Sequence, residues 1–366
     1  MERIKITNHQ LFSITSNAAF GGSVIVIAAV VAAIAKQDAW ISALLTPIFG
    51  MPVIWICWYL GSKYPGLSFV EIIRKILGKW VGTIVAASYV SICLTLSYHV
   101  PWYVGDFVTT QVMYETPEYV INMLFMIAVV IAILYGIETI ARASEIYFIF
   151  VLILSVLTVI LVSPNANLDN LQPVLENGIV PVLKGSYALS NFIIFPIILL
   201  MMIYPAHIDN TSEAKKSIFG GFLLVGFITF IIILMSILVL GSRITAISKY
   251  PTYLLAKEIS LGIIFTRLEF IVAGTWIVTQ FMMGTLVSFA AIKGLSDLLG
   301  LKDHKKIAIP MGLIILAFSE IVFPDDIYQR NWVNSVWMPY ASIHGFLLPT
   351  LLFIVYMIKR MIKKAS

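Results

Sequence analysis

Two long hydrophobic segments of this chain are interrupted near their middles by residues that weaken a helix. Gly21-Gly22-Ser23 divides the first segment, and Ser190-Asn191 with Phe195-Pro196 divides the sixth in a row of ten. Lipid offers no hydrogen-bond partners, so backbone at membrane depth leaves helical geometry only where protein or a water-filled cavity satisfies the freed N–H and C=O groups. The interruptions therefore predict a polar cavity near the midplane. Their matching positions in the two halves predict an inverted repeat whose half-helix ends meet around a small substrate.

That reasoning requires a membrane protein, and the composition supplies one. Of 366 residues, 60% are hydrophobic and 12% charged, and the mean hydropathy is +0.96, outside the range of soluble domains. Apolar stretches of about 20 residues fall at 11–35, 39–60, 80–103, 120–136, 144–162, 186–203, 218–240, 266–291, 307–323 and 337–358. The first is too long for the apolar core of a secretion signal, although Ala33-Ile34-Ala35 resembles a cleavage site. Cys57 and Cys93 fall inside predicted spans, where cysteine packs as a small hydrophobe.

Charge sets the expected orientation. With the N-terminus in the cytoplasm, the outer side holds seven basic residues, Lys36, Lys184, Arg243, Lys249, Lys257, Arg267 and Arg330, and the inner side the other 17 of 24. The excess predicts both termini inside, in accord with an even number of spans. The net charge of +5 then reflects topology and anionic headgroups, and carries no suggestion of nucleic-acid binding.

The stretches between spans are too short for a soluble domain, so residues 1–366 read as one membrane domain. Residues 11–162 supply five spans and 186–358 another five. An odd number per half inverts the second half. The fold class expected is an all-α integral membrane protein of ten helices in a 5+5 inverted repeat with discontinuous helices one and six. In the outer loop, Tyr250-Pro251-Thr252 precedes Leu254, Leu255, Ile259 and Leu261 with Lys257 and Glu258 between them, which predicts a short amphipathic helix, either a shield or a lid.

Candidate ligand-binding residues follow from the breaks. Asn17 through Ser23 lie about ten positions into the first segment, roughly 15 Å of helix rise, and unwinding at Gly21, Gly22 and Ser23 would present free N–H groups suited to a carboxylate. The plainer alternative is that the glycines serve close helix packing. Pro196, beside Phe195, lacks an N–H and frees carbonyls a turn earlier, with Ser190 and Asn191 nearby to answer them or a ligand. The third and eighth spans would flank the site, offering Tyr98 and His99 in one and Thr275, Thr279 and Gln280 in the other. Thr275 and Thr279 share a helix face. Hydroxyls there bind either a zwitterion or a neighbouring helix, and His99 is either a proton relay or a structural histidine.

Charge is scarce at the expected midplane. Arg267, Glu269 and Glu320 sit near span ends, and no span core holds an obvious coupling carboxylate or a cation in place of a coupling ion. Phosphate-binding glycine loops, metal-ligand spacings and nucleophile–base sets are missing too, so neither catalysis nor a cofactor is expected.

Several strings carry a family resemblance. Lys63-Tyr64-Pro65-Gly66 with Ile76-Leu77-Gly78-Lys79-Trp80-Val81-Gly82 resembles the first cytoplasmic loop of the B subunits of spore germinant receptors. Gly136-Ile137-Glu138-Thr139-Ile140-Ala141-Arg142-Ala143-Ser144-Glu145-Ile146 is similar to that family's loop between spans four and five. Tyr250-Pro251-Thr252, Gly294-Leu295-Ser296-Asp297-Leu298-Leu299-Gly300-Leu301 and Ile309-Pro310-Met311-Gly312 extend the likeness over essentially the whole chain.

The resemblance implies a permease-like member of the amino acid, polyamine and cation transporter superfamily, with its LeuT-like fold, acting as a sensor in the inner membrane of a bacterial spore. It implies A and C partner subunits and small-molecule germinants, often amino acids. The family's glycine-bearing break carries over to Gly21, and its site between spans one, three, six and eight carries over by region. Within the fourth-to-fifth loop, Glu138 and Arg142 are spaced for a helical ion pair, either plain loop structure or a docking element. A receptor that binds an amino acid is the leading expectation; a proton- or sodium-coupled transporter and an ion-conducting or structural subunit are the rivals.

Overall fold

Two helices, not one, make up the first apolar segment. In the computed structural model, which describes residues 5–21, 25–208, 211–259 and 269–365, α1 spans Asn8–Gly21 and, after a turn at residues 25 and 26, α2 spans Ile27–Ala35. Gly22 and Ser23 lie outside the described residues. A 3-10 elbow, Lys36–Asp38, turns the chain into α3 (Ala39–Lys63).

Local signals explain the next elements. Ser68 and Glu71 form a reciprocal cap that starts α4 (Phe69–Leu77), whose Phe69, Val70, Ile72, Ile73 and Ile76 form one buried face. Gly78, at φ 86°, makes the corner into α5 (Lys79–Gln111). Gly136, at φ 95°, does the same between α6 (Glu118–Tyr135) and α7 (Ile137–Val162). A left-handed φ is strained for any residue with a Cβ, which gives both glycines a structural reason.

The second half opens with α8 (Ile179–Leu199) and the single turn α9 (Tyr204–His207). Next come α10 (Thr211–Ile247), bent at Gly241, and α11 (Pro251–Lys257). Then α12 (Glu269–Leu299) and α13 (Ala308–Ser319) follow. The last segment is broken up: α14 (Asp326–Trp332), a π-turn at Val333–Trp337, α15 (Met338–Ser342), a second π-turn at Ile343–Leu347, and α16 (Leu348–Ala365). No strand occurs among the described residues.

Among the described residues, eight helical stretches are long and apolar enough to cross a bilayer. α1 and α13, at 14 and 12 residues, fall short of that length. α7 exposes Ile146, Ile149, Ile153 and Ile160, as a lipid-facing helix does, whereas α8 and α12 are largely covered. α1 packs on α10, α7 and α12, α3 on α8 and α10, and α12 on α5.

The second break lies later than Ser190 through Pro196. α8 runs unbroken to Leu199, tightens to a 3-10 turn at Leu200–Met202 and gives way at Ile203. A proline removes one N–H donor, which weakens a buried helix without obliging it to end at that residue.

The two ends of the bundle are tied differently. On the face that gathers both ends of the described chain, Ile6 N donates to the His207 carbonyl (3.1 Å) and Asn8 Nδ2 to Glu213 Oε2 (2.7 Å). There His9 also meets Glu145 (2.7 Å), and Lys359 Nζ donates to the Ile76 carbonyl (2.7 Å). We call this the terminal face and its opposite the distal face. Arg142 pairs with Glu138 at 2.5 Å, as their spacing predicts, with both side chains well exposed, so the pair contributes only about 0.3–0.5 kcal/mol. α11 covers the distal side with Pro251, Thr252, Tyr253, Leu255 and Ala256 buried.

Candidate ligand-binding site

Beside the end of α1 lies a cavity of about 70 Å³. α5 lines it with Leu96, His99, Val100 and Tyr103, which share one face of the helix. α8 adds Asn191 and Phe192, α12 adds Trp276, Gln280 and Met283, and the last segment adds Trp332, Val333 and Trp337. Val26, just before α2, completes the wall. The lining is apolar and aromatic with three uncharged polar side chains, the usual make-up of a small-molecule pocket.

Hydrogen bonds hold the polar residues in place. Gln280 Nε2 donates to the buried carbonyl of Gly21, the last described residue of α1. Asn191 Nδ2 donates to Tyr187 O (3.0 Å), and its Oδ1 accepts from Ser342 Oγ (2.9 Å). His99 Nδ1 donates to Thr95 O. The His99 ring stacks on Trp332 with centroids 4.5 Å apart, and its Nε2 is buried with no hydrogen-bond partner among the described residues.

Toward the distal face opens a vestibule of about 290 Å³. It shares Val26, Tyr103, Phe192 and Val333 with the inner cavity. Those four side chains form the partition between them. At the vestibule's edge Lys249 Nζ lies 2.7 Å from Asp106 Oδ2 and 2.6 Å from Asp326 Oδ1, and Tyr250 donates its hydroxyl to Asp106. The lysine thereby clasps α14 to α5. Gln329 Nε2 adds a second tie by donating to Tyr103 Oη at 2.6 Å.

The residues expected from sequence divide among several places. His99 and Asn191 line the cavity, and Gly21 borders it through its bond with Gln280. Ser190 Oγ donates to Tyr187 O (2.7 Å) within α8. Asn17 faces α7, where its Nδ2 donates to Ser144 O at 2.8 Å. Tyr98 stacks on Phe318, with centroids 5.7 Å apart. Thr275 and Thr279 line a second cavity of about 40 Å³ with Phe20, Ile25 and Trp276, and each donates its hydroxyl to its own helix. Phe195 and Pro196 sit inside α8, with side chains outside the description.

Sequence reasoning passed over Tyr103, Phe192, Trp276, Trp332 and Trp337. A usable signal was present in Leu96, His99, Val100 and Tyr103 at positions i, i+3, i+4 and i+7, and in Trp276, Gln280 and Met283 at i, i+4 and i+7.

Sequence comparison settles the family. A family model described as "Spore germination protein" matches residues 5–326. The chain belongs to this family. Among its relatives is spore germination protein KB of Bacillus subtilis (strain 168), 27% identical over 370 residues that cover 100% of this chain and 98% of the relative. Spore germination protein A2 of the same organism is 25% identical, with 98% and 97% covered. Among solved structures, the fold resembles Mhp1, a nucleobase-cation-symport-1 family transporter in a closed conformation with bromovinylhydantoin bound. Its TM-score is 0.74 at 12% identity, covering 96% of this chain and 78% of the transporter. MhsT in complex with L-phenylalanine follows with a TM-score of 0.64 at 12% identity, covering 98% and 99%. This spore germination protein thus has a LeuT-like transporter fold and is an integral membrane protein.

Proposed function

We propose that the chain is the membrane subunit of a spore germinant receptor, binding a small-molecule germinant, an amino acid, in the cavity beside the end of α1. The observation that carries this reading is the enclosed aromatic cavity whose wall combines segments one, three, six, eight and ten. In a family of spore germination proteins, such a pocket suits a sensor of small molecules. The neighbour MhsT was solved with L-phenylalanine, which supports an amino acid as the class of ligand.

In this reading Gly21, Gly22 and Ser23, with Asn17, Ser190, Asn191, Phe195, Pro196, Tyr98, His99, Thr275 and Thr279, form the site and the shell around it. The chain crosses the spore inner membrane ten times as two inverted five-span repeats, about 11–162 and 186–358, with both termini in the cytoplasm. Ligand binding favours one arrangement of the broken segments by its differential affinity for the two states, and A and C subunits read the shift.

Transport coupled to protons or sodium is the second reading, supported by the fold of the neighbours. Against it stands a cavity wall that has no Asp, Glu, Lys or Arg among the described residues. A time course of labelled amino acid on proteoliposomes, with and without an imposed gradient, separates the two. Saturable label near one per protein, unaffected by the gradient, is expected of a receptor. Label that accumulates with the gradient and escapes on permeabilisation overturns the receptor reading.

A further inference from the structure

We infer that His99 reads a hydrogen-bond donor on the ligand, its Nε2 accepting from the ammonium or amide N–H of a small molecule with an apolar body. The inference rests on the receptor reading above and adds to it the chemical group that the cavity selects.

The tautomer follows from the ring's other bond. Thr95 O is a carbonyl and only accepts, so His99 Nδ1 carries the proton. In a neutral imidazole Nε2 is then an acceptor with a free lone pair. Among the described residues that atom has no hydrogen-bond partner, and it is buried on a residue only 3% exposed that lines the cavity. Buried acceptors are almost always paired in native proteins, so a ligand N–H is the donor that suits this lone pair.

The rest of the wall agrees with a donor-bearing ligand. Gln280 commits its Nε2 to the Gly21 carbonyl, and its remaining oxygen is another acceptor. Trp276, Trp332, Trp337 and Phe192 present rings whose faces attract an ammonium. With no Asp, Glu, Lys or Arg among the described lining residues, selection falls to neutral acceptors and rings. A ligand of the same shape with no N–H forfeits those interactions.

The test measures binding of four apolar amino acids, L-alanine, L-valine, L-leucine and L-isoleucine, and of the matching carboxylic acids without the amine, to the full chain in lipid nanodiscs. The wild-type protein is expected to prefer the amino acid by about tenfold or more, the worth of a hydrogen bond to a charged donor. His99→Phe should erase that preference, with its elution profile and thermal unfolding beside those of the wild type as the control that the variant is folded. His99→Gln, which restores an acceptor, should recover part of it. If His99→Phe does not yield folded protein, His99→Leu is read in the same way. An unchanged preference in His99→Phe or His99→Leu overturns the role of His99 and leaves the receptor reading intact. A wild-type protein that binds none of the compounds overturns both.

Discussion

Gln280 on α12 reaches across to α1 and donates its side-chain amide to the carbonyl of Gly21. The bond ties α12 to α1 at the last described residue of that helix. A Cβ at Gly21 would stand 2.7 Å from both Met283 Cβ and Thr279 O, so the two helices approach as closely as a bare glycine permits. The pair fixes both how near α1 lies to α12 and which polar group faces the break.

Enlarging that glycine should separate the helices. Gly21→Val is expected to cost about 1–3 kcal/mol of stability from overpacking and to abolish ligand binding, because the Gln280 bond cannot follow. Gln280→Leu leaves the buried carbonyl without a donor at a similar cost of about 1–3 kcal/mol. Thermal unfolding in detergent and ligand binding on the same preparations check both. A Gly21→Val protein that binds like wild type would place the ligand elsewhere.

Lys249 should control access from the distal face. It bridges Asp106 and Asp326, and Asp106 is 8% exposed, so removing the lysine leaves a buried carboxylate without its cation. Lys249→Met is expected to release α14 and widen the path past Val333. A Val333→Cys reporter in the Lys249→Met background should react several-fold faster with a membrane-impermeant thiol reagent than in the wild-type background. The native Cys57 and Cys93 are buried and should give little background.

Much of this architecture is legible in the sequence because hydropathy and helix breakers act locally. The division of the first segment into α1 and α2 follows from two adjacent glycines, and the corner at Gly136 from one. The segments that wall the candidate site are legible for the same reason. Its individual residues depend on how each helix is rotated, which hydropathy does not set: Thr275 and Thr279 share a face, yet that face meets a second cavity, while Trp276 and Gln280 beside them reach the first. The share of the last segment in the wall was hidden altogether. A π-turn at Val333–Trp337 shifts the register by a residue, and no composition signal announces it. Pro196 misled in the other direction, since α8 carries it without stopping.

Ser342 joins the cavity to the last segment, and its removal should loosen that link. Its hydroxyl donates to Asn191 Oδ1 at 2.9 Å and also meets Tyr187. Ser342→Ala leaves Asn191 free to rotate at a cost near 1 kcal/mol, an expected loss of roughly fivefold in ligand affinity. Ser342→Thr, which keeps the hydroxyl, should stay near wild type. Equilibrium binding of labelled amino acid to the two variants distinguishes a positional role for Asn191 from mere packing, because alanine and threonine differ in opposite senses in volume.

Acid should weaken the terminal face through His304. The loop that holds it packs its ring edge-on to Phe289, with centroids 5.4 Å apart. Burial first, and the cation of Lys293 second, hold the imidazole below its ordinary value of 6.5. A histidine depressed in the native state favours the neutral ring. As pH falls through about 6.5 the unfolded chain takes up a proton that the native chain refuses, so stability declines, and it levels off once the native value is passed. His304→Gln should remove this part of the acid sensitivity: the drop in melting temperature between about pH 7.5 and pH 5 is expected to be smaller for the variant than for wild type, with little difference between them at the higher pH. Equal drops in the two proteins would mean that His304 titrates alike in the native and unfolded states and that the acid sensitivity lies with other groups.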